Sequence, residues 1–250
     1  MKISIITVVR NNASTIKDTI DSVLKQTYSN VEYIVIDGSS TDGTIEIIQG
    51  YKKYIKKFIS EKDKGVYDAM NKGINLATGD VIGLLNGDDV YFDETVLQNV
   101  ANAFKKNESD CVYGDLYYVE RNNLDEVVRY WKSSKFKKGS FARGWHPPHP
   151  TFFVKKEVYS KYGLYDIEMK VSADFDLMLR LLEKYNITSH YLPTILVRMR
   201  TGGMSNKTIK NIIISNQSIL RSFDKYKIKI NKFMYLIYRL LPKVMQMIRK

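Results

Sequence analysis

The sequence has one cysteine, Cys111, among 250 residues. No intrachain disulfide and no all-cysteine metal site can be built from a single thiol. Cys111 lies in the apolar stretch Cys111-Val112-Tyr113. It reads as a buried structural thiol, since a reactive one needs an exposed electropositive setting. A reducing cytoplasm fits this usage. Five prolines and fourteen glycines leave little room for a flexible linker. No internal repeat and no low-complexity tract is present, which excludes solenoids and fibrous proteins. No run reaches the roughly 18 apolar residues of a membrane span.

The composition that remains is 44% apolar and 26% charged, an ordinary globular balance able to bury a core. The length suits one large domain, or one domain with a small extension. Lys and Arg exceed Asp and Glu by 39 − 27, a net charge of +12. Such an excess suits an acidic partner: a nucleotide, a phospholipid surface or nucleic acid. The apolar start, Ile3 to Val9, meets Arg10-Asn11-Asn12 instead of a small-residue cleavage site. It reads as a first strand, not a signal peptide.

Residues 2–9, 31–36, 54–60 and 81–85 read as buried strands, rich in Val and Ile. Helical spacing follows them through Ile16 to Leu24, Ile45 to Ile48, Val66 to Ala77 and about 93–106. Alternating strands and helices predict an α/β fold, a mostly parallel sheet with helices on both faces. In such sheets the ligand sits beyond the carboxyl ends of the strands. The polar clusters fall at those ends: Arg10-Asn11, Asp37 to Asp42, and Asn86 to Asp89. After residue 108 the alternation fades into strand-like pieces at 111–113, 116–119 and 127–130, a helix near 173–185 and a strand near 187–197. This part predicts the second wall of a cleft.

Residues 10–30 contain no glycine. A dinucleotide fold needs glycines after its first strand, so that backbone can approach a pyrophosphate. A Walker lysine loop is missing too. So is the glycine-rich basic loop of a nucleotidylyltransferase. A site that holds phosphate through a metal remains. Magnesium and manganese favour carboxylate oxygens and use one or two of them together with substrate phosphates. Asn86-Gly87-Asp88-Asp89 offers two carboxylates at the mouth of the fourth strand, with Gly87 permitting a tight turn. A cation there would stabilise a leaving diphosphate as a Lewis acid.

Four segments carry a family resemblance: Ile5 to Asn11, Val35 to Thr44, Asp63 to Ile74, and Gly79-Asp80 leading into Leu85-Asn86-Gly87-Asp88-Asp89. Together they resemble the family 2 glycosyltransferases, with their Rossmann-like GT-A fold. A weaker likeness runs through His149 and Ser172 to Arg180. The pattern looks most like the subgroup that builds bacterial surface polysaccharides. The resemblance implies a nucleotide-sugar-binding half at 1–110, an acceptor-binding half at 111–205, and a helical extension at 206–250.

It also implies roles. Asp37 would accept a hydrogen bond from the nucleotide base, an acceptor-only carboxylate facing uracil's N–H. Thr7 would line the same pocket, and Val9 and Asn11 belong to the same donor segment. Asp68, Asn71 and Lys72 would sit on a helix beside the donor, or form its polar face. The family's Asp-x-Asp motif reads Asn86-Gly87-Asp88 here, so Asn86 stands where an aspartate binds ribose. Asp88, and next Asp89, would hold Mn²⁺ or Mg²⁺. Where relatives show Glu-Asp, this chain has Ala173-Asp174, which leaves Asp174 as the catalytic base. Asp176 would pair structurally. His149 would touch acceptor or diphosphate, or be structural. Residues 198–205 resemble a flexible basic loop that closes on the donor, with Arg200 suited to diphosphate oxygens.

Residues 225–250 contain eight Lys and Arg and no acid. Lys232, Arg239, Lys243 and Lys250 share one helical face, and Pro242 should kink the helix. A basic amphipathic helix can lie on an anionic membrane or pack on the domain or a dimer partner.

The function that follows is an inverting, metal-dependent transfer from a nucleotide-diphosphate sugar, UDP-linked, to a glycan or lipid-linked acceptor. The place would be the cytoplasmic face of the cell membrane. A nucleotidylyltransferase would release pyrophosphate instead. A nucleic-acid-binding protein would explain the charge but lacks a recognisable motif.

Overall fold

The computed structural model describes residues 1–202 and 209–238. Ile3–Val9 (β1), Val31–Asp37 (β2), Lys57–Ser60 (β3) and Val81–Asn86 (β4) are the strands of the first half. Ile16–Leu24 (α1), Thr44–Gly50 (α2) and Val66–Leu76 (α3) connect them. Val90–Tyr91 (β5) and Val96–Asn107 (α4) follow. The second half adds Cys111–Glu120 (β6), Asn123–Trp131 (β7), Phe153–Lys155 (β8), Lys156–Tyr162 (α5), Ala173–Met178 (α6), Ser189–Arg200 (β9) and Ile209–Lys225 (α7).

One sheet holds all nine strands, in the order β3-β2-β1-β4-β8-β6-β9-β5, with β7 paired to β6. The ladders joining β1, β2, β3 and β4, and the ladder of β6 with β9, are parallel. The short β5 and β8 and the β6–β7 hairpin are antiparallel. The strands expected from the sequence are present, but the pieces at 111–113 and 116–119 form one strand. Its register shifts at Gly114, where an added Cβ would lie 2.6 Å from Leu196 Cγ. The sequence reading missed β5 and β8, which are too short for a hydrophobic period to show.

Strand side chains alternate between two apolar layers. Ile6, Val8, Ile34 and Ile36 pack with Met70 and Ile74 of α3 and with Phe175 and Leu177 of α6. Ile3, Ile5, Val9 and Val35 pack with Ile16 and Ile20 of α1 and with Leu97 and Val100 of α4. Helix α3 lies very close to β1: a Cβ at Gly73 would meet Ile6 Cγ2 at 2.3 Å. Helix α6 runs on into a π-helical turn at Leu179–Lys184.

The basic tail is partly woven into the domain. Ser172 and Ser215 exchange a hydroxyl hydrogen bond at 2.8 Å. Tyr226 donates to Asp176 at 2.7 Å, and Lys225 reaches Asp166 at 2.8 Å. A short helix at 232–238 follows α7, and its Tyr235 packs at 5.1 Å on Phe223. Residues 239–250, with Arg239, Pro242, Lys243, Arg249 and Lys250, lie outside the described residues.

At the end of the sheet opposite the polar clusters, Glu32 is buried at 3% exposure. Burial alone would raise its pKa. Hydrogen bonds from Ser4, the Thr78 backbone and hydroxyl, and Lys2 outweigh this and hold it at about 2 against 4.5. Because the folded pKa is depressed, the stabilisation is present above pH 4.5 and is lost as pH falls toward 2. The shift corresponds to about 3 kcal/mol. Glu32→Gln should lower neutral-pH stability by about that amount and flatten the loss on acidification. Urea denaturation across pH checks this; an unchanged acid slope in the variant would assign the slope to another group.

Candidate active site

The parallel register brings the polar clusters to one edge. Val9 pairs with Asp37 and Val8 with Asn86, so β1, β2 and β4 end nearly level. Gly87 is required there by packing: a Cβ would lie 2.7 Å from Val9 Cγ2. Its expected role as a turn former is therefore secondary to this close approach.

Asp37 has no exposed surface. Its carboxylate accepts from the Ser40 hydroxyl, from the Ser40 backbone N–H at 3.0 Å and from the Ser60 hydroxyl at 2.7 Å. The Asn11 backbone N–H donates to the Ser40 hydroxyl, while its side-chain oxygen accepts from Thr41 N–H. Asn11 takes φ +52°, the left-handed region that Asn tolerates. Asp37 and Asn11 thus shape the loop after β2. Thr7 is fully buried one layer below, accepting from the Tyr33 hydroxyl at 3.0 Å. Asp63 completes this corner: a Cβ on Gly38 would lie 3.0 Å from its carboxylate.

On α3, Lys72 Nζ is held by Asp63 at 2.5 Å, Glu61 at 2.8 Å and Asp68 at 3.4 Å. The three carboxylates keep it protonated, raising its pKa against the opposing effect of burial. Asp68 also accepts from Lys64 N–H at 3.0 Å. Asn71 points to the second half instead. Its amide donates to Tyr165 O at 2.9 Å and accepts from Tyr165 N–H at 3.0 Å. This fixes the 165 loop on α3, a structural use of a residue expected beside the donor.

After β4, the two aspartates part. Asp88 is accessible, with its side chain at 23%, and lies 3.7 Å from the guanidinium of Arg121. Asp89 is buried at 1% and accepts from Asn86 Nδ2 at 3.1 Å and from Arg200 N–H at 3.3 Å. Burial, and then the charge of Asp88, raise its pKa. Among the described residues no cluster of three or more His, Cys, Asp or Glu could hold a metal alone. A divalent cation that takes one carboxylate and two substrate phosphates fits Asp88. Asp89 spends its oxygens on the protein.

Arg200 is corrected by the structure. It ends strand β9 and is 4% exposed, where a loop residue was expected. Its guanidinium donates to Asp18 at 2.5 Å, to Asp88 O at 2.7 Å and to Arg121 O at 2.9 Å. The pairing of β5 with β9 through Val90 and Arg198 draws it inward. Residues 203–205 of the expected loop lie outside the described residues.

Asp174, half-buried in the first turn of α6, accepts from the Tyr67 hydroxyl at 3.3 Å. Tyr67 stacks on Tyr165 at 5.7 Å, and the Tyr165 hydroxyl meets His149 Nε2 at 2.7 Å. Burial lowers the His149 pKa, with the charge of Asp174 opposing, so the ring is held toward its neutral form. Asp176 faces away into the Tyr226 contact. Tyr118 of β6 pairs with Met199, next to Arg200; burial raises its pKa, the charge of Arg129 opposes this, and the charges of Asp89 and Asp174 add to it. Sequence reasoning missed Asp63, Tyr67, Tyr118, Arg121 and Tyr165 as site residues. Asp63 and Tyr67 lay inside the motif segment; the others carry no local pattern.

A nearly level strand edge, an accessible carboxylate after β4 and a second carboxylate on α6 beyond it describe a glycosyltransferase of the GT-A fold. The sequence pattern of Glycosyl transferase family 2 matches residues 4–163, and the chain belongs to that family. A PGL/p-HBAD biosynthesis glycosyltransferase of Mycobacterium bovis is 29% identical over 211 residues, covering 82% of this chain and 80% of that protein. An uncharacterized glycosyltransferase of Mycobacterium tuberculosis is 31% identical over 180 residues, covering 71% of this chain and 68% of that one. Among solved structures, S. aureus TarS 1-349 in complex with UDP-GlcNAc is similar at TM-score 0.72 and 16% identity, covering 96% of this chain and 70% of that one. The mannosyltransferase PcManGT of Pyrobaculum calidifontis, in complex with GDP-Man and Mn²⁺, is similar at TM-score 0.66 and 17% identity, covering 96% and 69%.

Arg200→Met tests the corrected placement. It leaves the Asp88 and Arg121 carbonyls short of a donor and should cost about 2 kcal/mol of stability. A lower urea midpoint is expected. An unchanged midpoint with a raised donor KM would return Arg200 to the donor.

Proposed function

We propose that the chain transfers a sugar, with inversion, from a UDP-linked sugar to a glycan or lipid-linked acceptor in surface-polysaccharide synthesis. The observation that carries this reading is the pair of carboxylates Asp88 and Asp174, one accessible after β4 and one half-buried in the first turn of α6, held by Tyr67 of α3. The Asp37 corner would seat the base, as an acceptor for its N–H. Asn86 would reach the ribose. A divalent cation held by Asp88 and the donor's phosphates would supply Lewis-acid stabilisation of the leaving diphosphate.

Asp174 acts as the general base. It takes the proton of an acceptor hydroxyl as that oxygen forms its bond to the anomeric carbon. The bond from the anomeric carbon to the phosphate oxygen breaks, and its electron pair leaves on the nucleoside diphosphate. Attack opposite the leaving group inverts the configuration. Tyr67 holds the Asp174 carboxylate, and the neutral His149 adds no competing cation beside it.

Two substitutions separate the roles. Asp174→Asn should keep donor affinity by calorimetry while turnover falls by about 10²-fold or more. Lost donor binding in a folded protein would instead place Asp174 in the donor pocket. Asp88→Asn should remove the metal-dependent part of UDP binding. UDP binding that is equally manganese-dependent in this variant would move the metal elsewhere. A screen of UDP and GDP sugars for donor hydrolysis then identifies the donor.

The acceptor end of this reading includes the membrane. Among the described residues no helix is long and apolar enough to cross one. Exposed Lys227, Lys229 and Lys232 lie beside Phe233, which is 72% exposed, and Met234. We assign this basic, apolar segment to the anionic inner surface of the cell membrane. Phe233→Asp should reduce co-sedimentation with anionic liposomes and leave donor hydrolysis intact. Because Tyr235 is buried in the core and Tyr226 packs against it, a point substitution tests this better than truncation. Equal sedimentation of variant and parent would remove the membrane role.

A further inference from the structure

Tyr118 belongs to a group of rings on the β6–β7 hairpin, and the transfer step uses none of the others. Tyr118 and Trp131 lie with their planes 5° apart and their centroids at 6.2 Å. His146 meets Trp131 edge-to-face at 5.0 Å. The Arg129 guanidinium stands 4.0 Å from the Tyr118 centroid and 5.5 Å from that of Trp131. The pairing explains the arrangement. Tyr118 is directly opposite Arg129, and Leu116 opposite Trp131, so all four project from one face of the hairpin.

Three properties set this group apart from ordinary core. Tyr118, Arg129, Trp131 and His146 are each only half-buried, whereas Leu116 beneath them has no exposed surface. Arg129 has no carboxylate partner among the described residues; its guanidinium stands over the two rings. The platform adjoins the carboxylate loop, because Tyr118 pairs with Met199 of β9, next to Arg200, whose guanidinium donates to the Asp88 carbonyl. His146 also packs edge-on at 5.4 Å against Phe175, the residue after Asp174.

We infer that Tyr118, Arg129 and Trp131 form the subsite that holds a sugar ring of the acceptor. The inference rests on the glycosyltransferase reading above and adds the acceptor's chemistry to it. A pyranose has an apolar face of axial C–H groups and a rim of hydroxyls. Flat, weakly hydrated rings match that face, and the indole and phenol keep a polar edge for the rim. A guanidinium with several free N–H donors suits sugar hydroxyl oxygens in a fixed plane. The location suits the task as well. A ring seated on Tyr118 and Trp131 lies beside His146, which packs on Phe175, the neighbour of Asp174. Nothing in the local sequence flagged this, since Tyr118 and Trp131 are thirteen positions apart and meet only through the hairpin.

The test uses the full chain and a set of methyl glycosides of glucose, galactose, mannose, rhamnose and N-acetylglucosamine. Trp131 and Trp145 are the two tryptophans, so Trp145→Phe leaves Trp131 as the one indole reporter. With UDP present, at least one glycoside should change its fluorescence and should stimulate UDP release above donor hydrolysis. Trp131→Ala should raise the half-saturating glycoside concentration about tenfold, the scale of one lost ring contact, with donor hydrolysis unchanged. Trp131→Phe should recover most of that loss, which a merely structural role would not predict. Arg129→Met should weaken the same glycoside without changing donor affinity. Unchanged half-saturation in Trp131→Ala, or no fluorescence response to any glycoside up to its solubility limit, would overturn the subsite. Absence of donor hydrolysis in the parent protein would instead sink the glycosyltransferase reading, so the two failures are distinguishable.

Discussion

The register of β1 with its two parallel neighbours is the constraint on which the rest depends. Val9 level with Asp37, and Val8 level with Asn86, put three loops at one edge of the sheet. Parallel strands of this kind require covered faces, and α3 on one side and α1 and α4 on the other provide the cover. Gly73 and Gly87 are the local conditions for it. One lets α3 sit on Ile6, and the other lets the turn after β4 sit on Val9.

A second constraint joins the halves. Arg200 at the end of β9 reaches Asp18 of α1, the Asp88 carbonyl and the Arg121 carbonyl, while its N–H meets Asp89. One buried cation thereby ties together the first helix, the carboxylate loop and the tip of the β6–β7 hairpin. The result leaves Asp88 facing outward and Asp89 facing inward. Removing one partner from such a knot leaves the others desolvated and unpaired, which costs more than the pair contributes. The knot therefore holds the loop in one position, ready for a ligand's charge.

The second carboxylate depends on a different support. Asp174 stands on α6, and α6 is held by Tyr67 and Tyr165 from the α3 side and by Tyr226, Phe223 and Ser215 from the α7 side. Most of these supports are aromatic, and Asp174 stays half-buried among them. Tyr226 thereby ties the segment after α7 to α6 through Asp176.

Much of the first half was legible in the sequence, because β-branched runs and polar strand ends are local signals. Residues 2–9, 31–36 and 81–85 read as buried strands, within one residue of the observed bounds, and Asp37, Asn86 and Asp88 fell at their carboxyl ends. The motif segments placed Asp68 and Lys72 on a helix beside them, and Asp174 at the start of another. Side-chain commitments were not legible. Asn71 and Arg200 look like ligand residues in sequence, yet each satisfies backbone groups far along the chain. Asp88 and Asp89 are adjacent and chemically identical, and only the fold decides which one is buried. Tyr118, Arg129 and Trp131 carry no pattern at all until the hairpin pairs them. Periodicity records which face of an element is apolar; it holds no record of which distant backbone group or ring completes a polar side chain. Those partners are fixed by strand order and helix packing, and so by the tertiary structure alone.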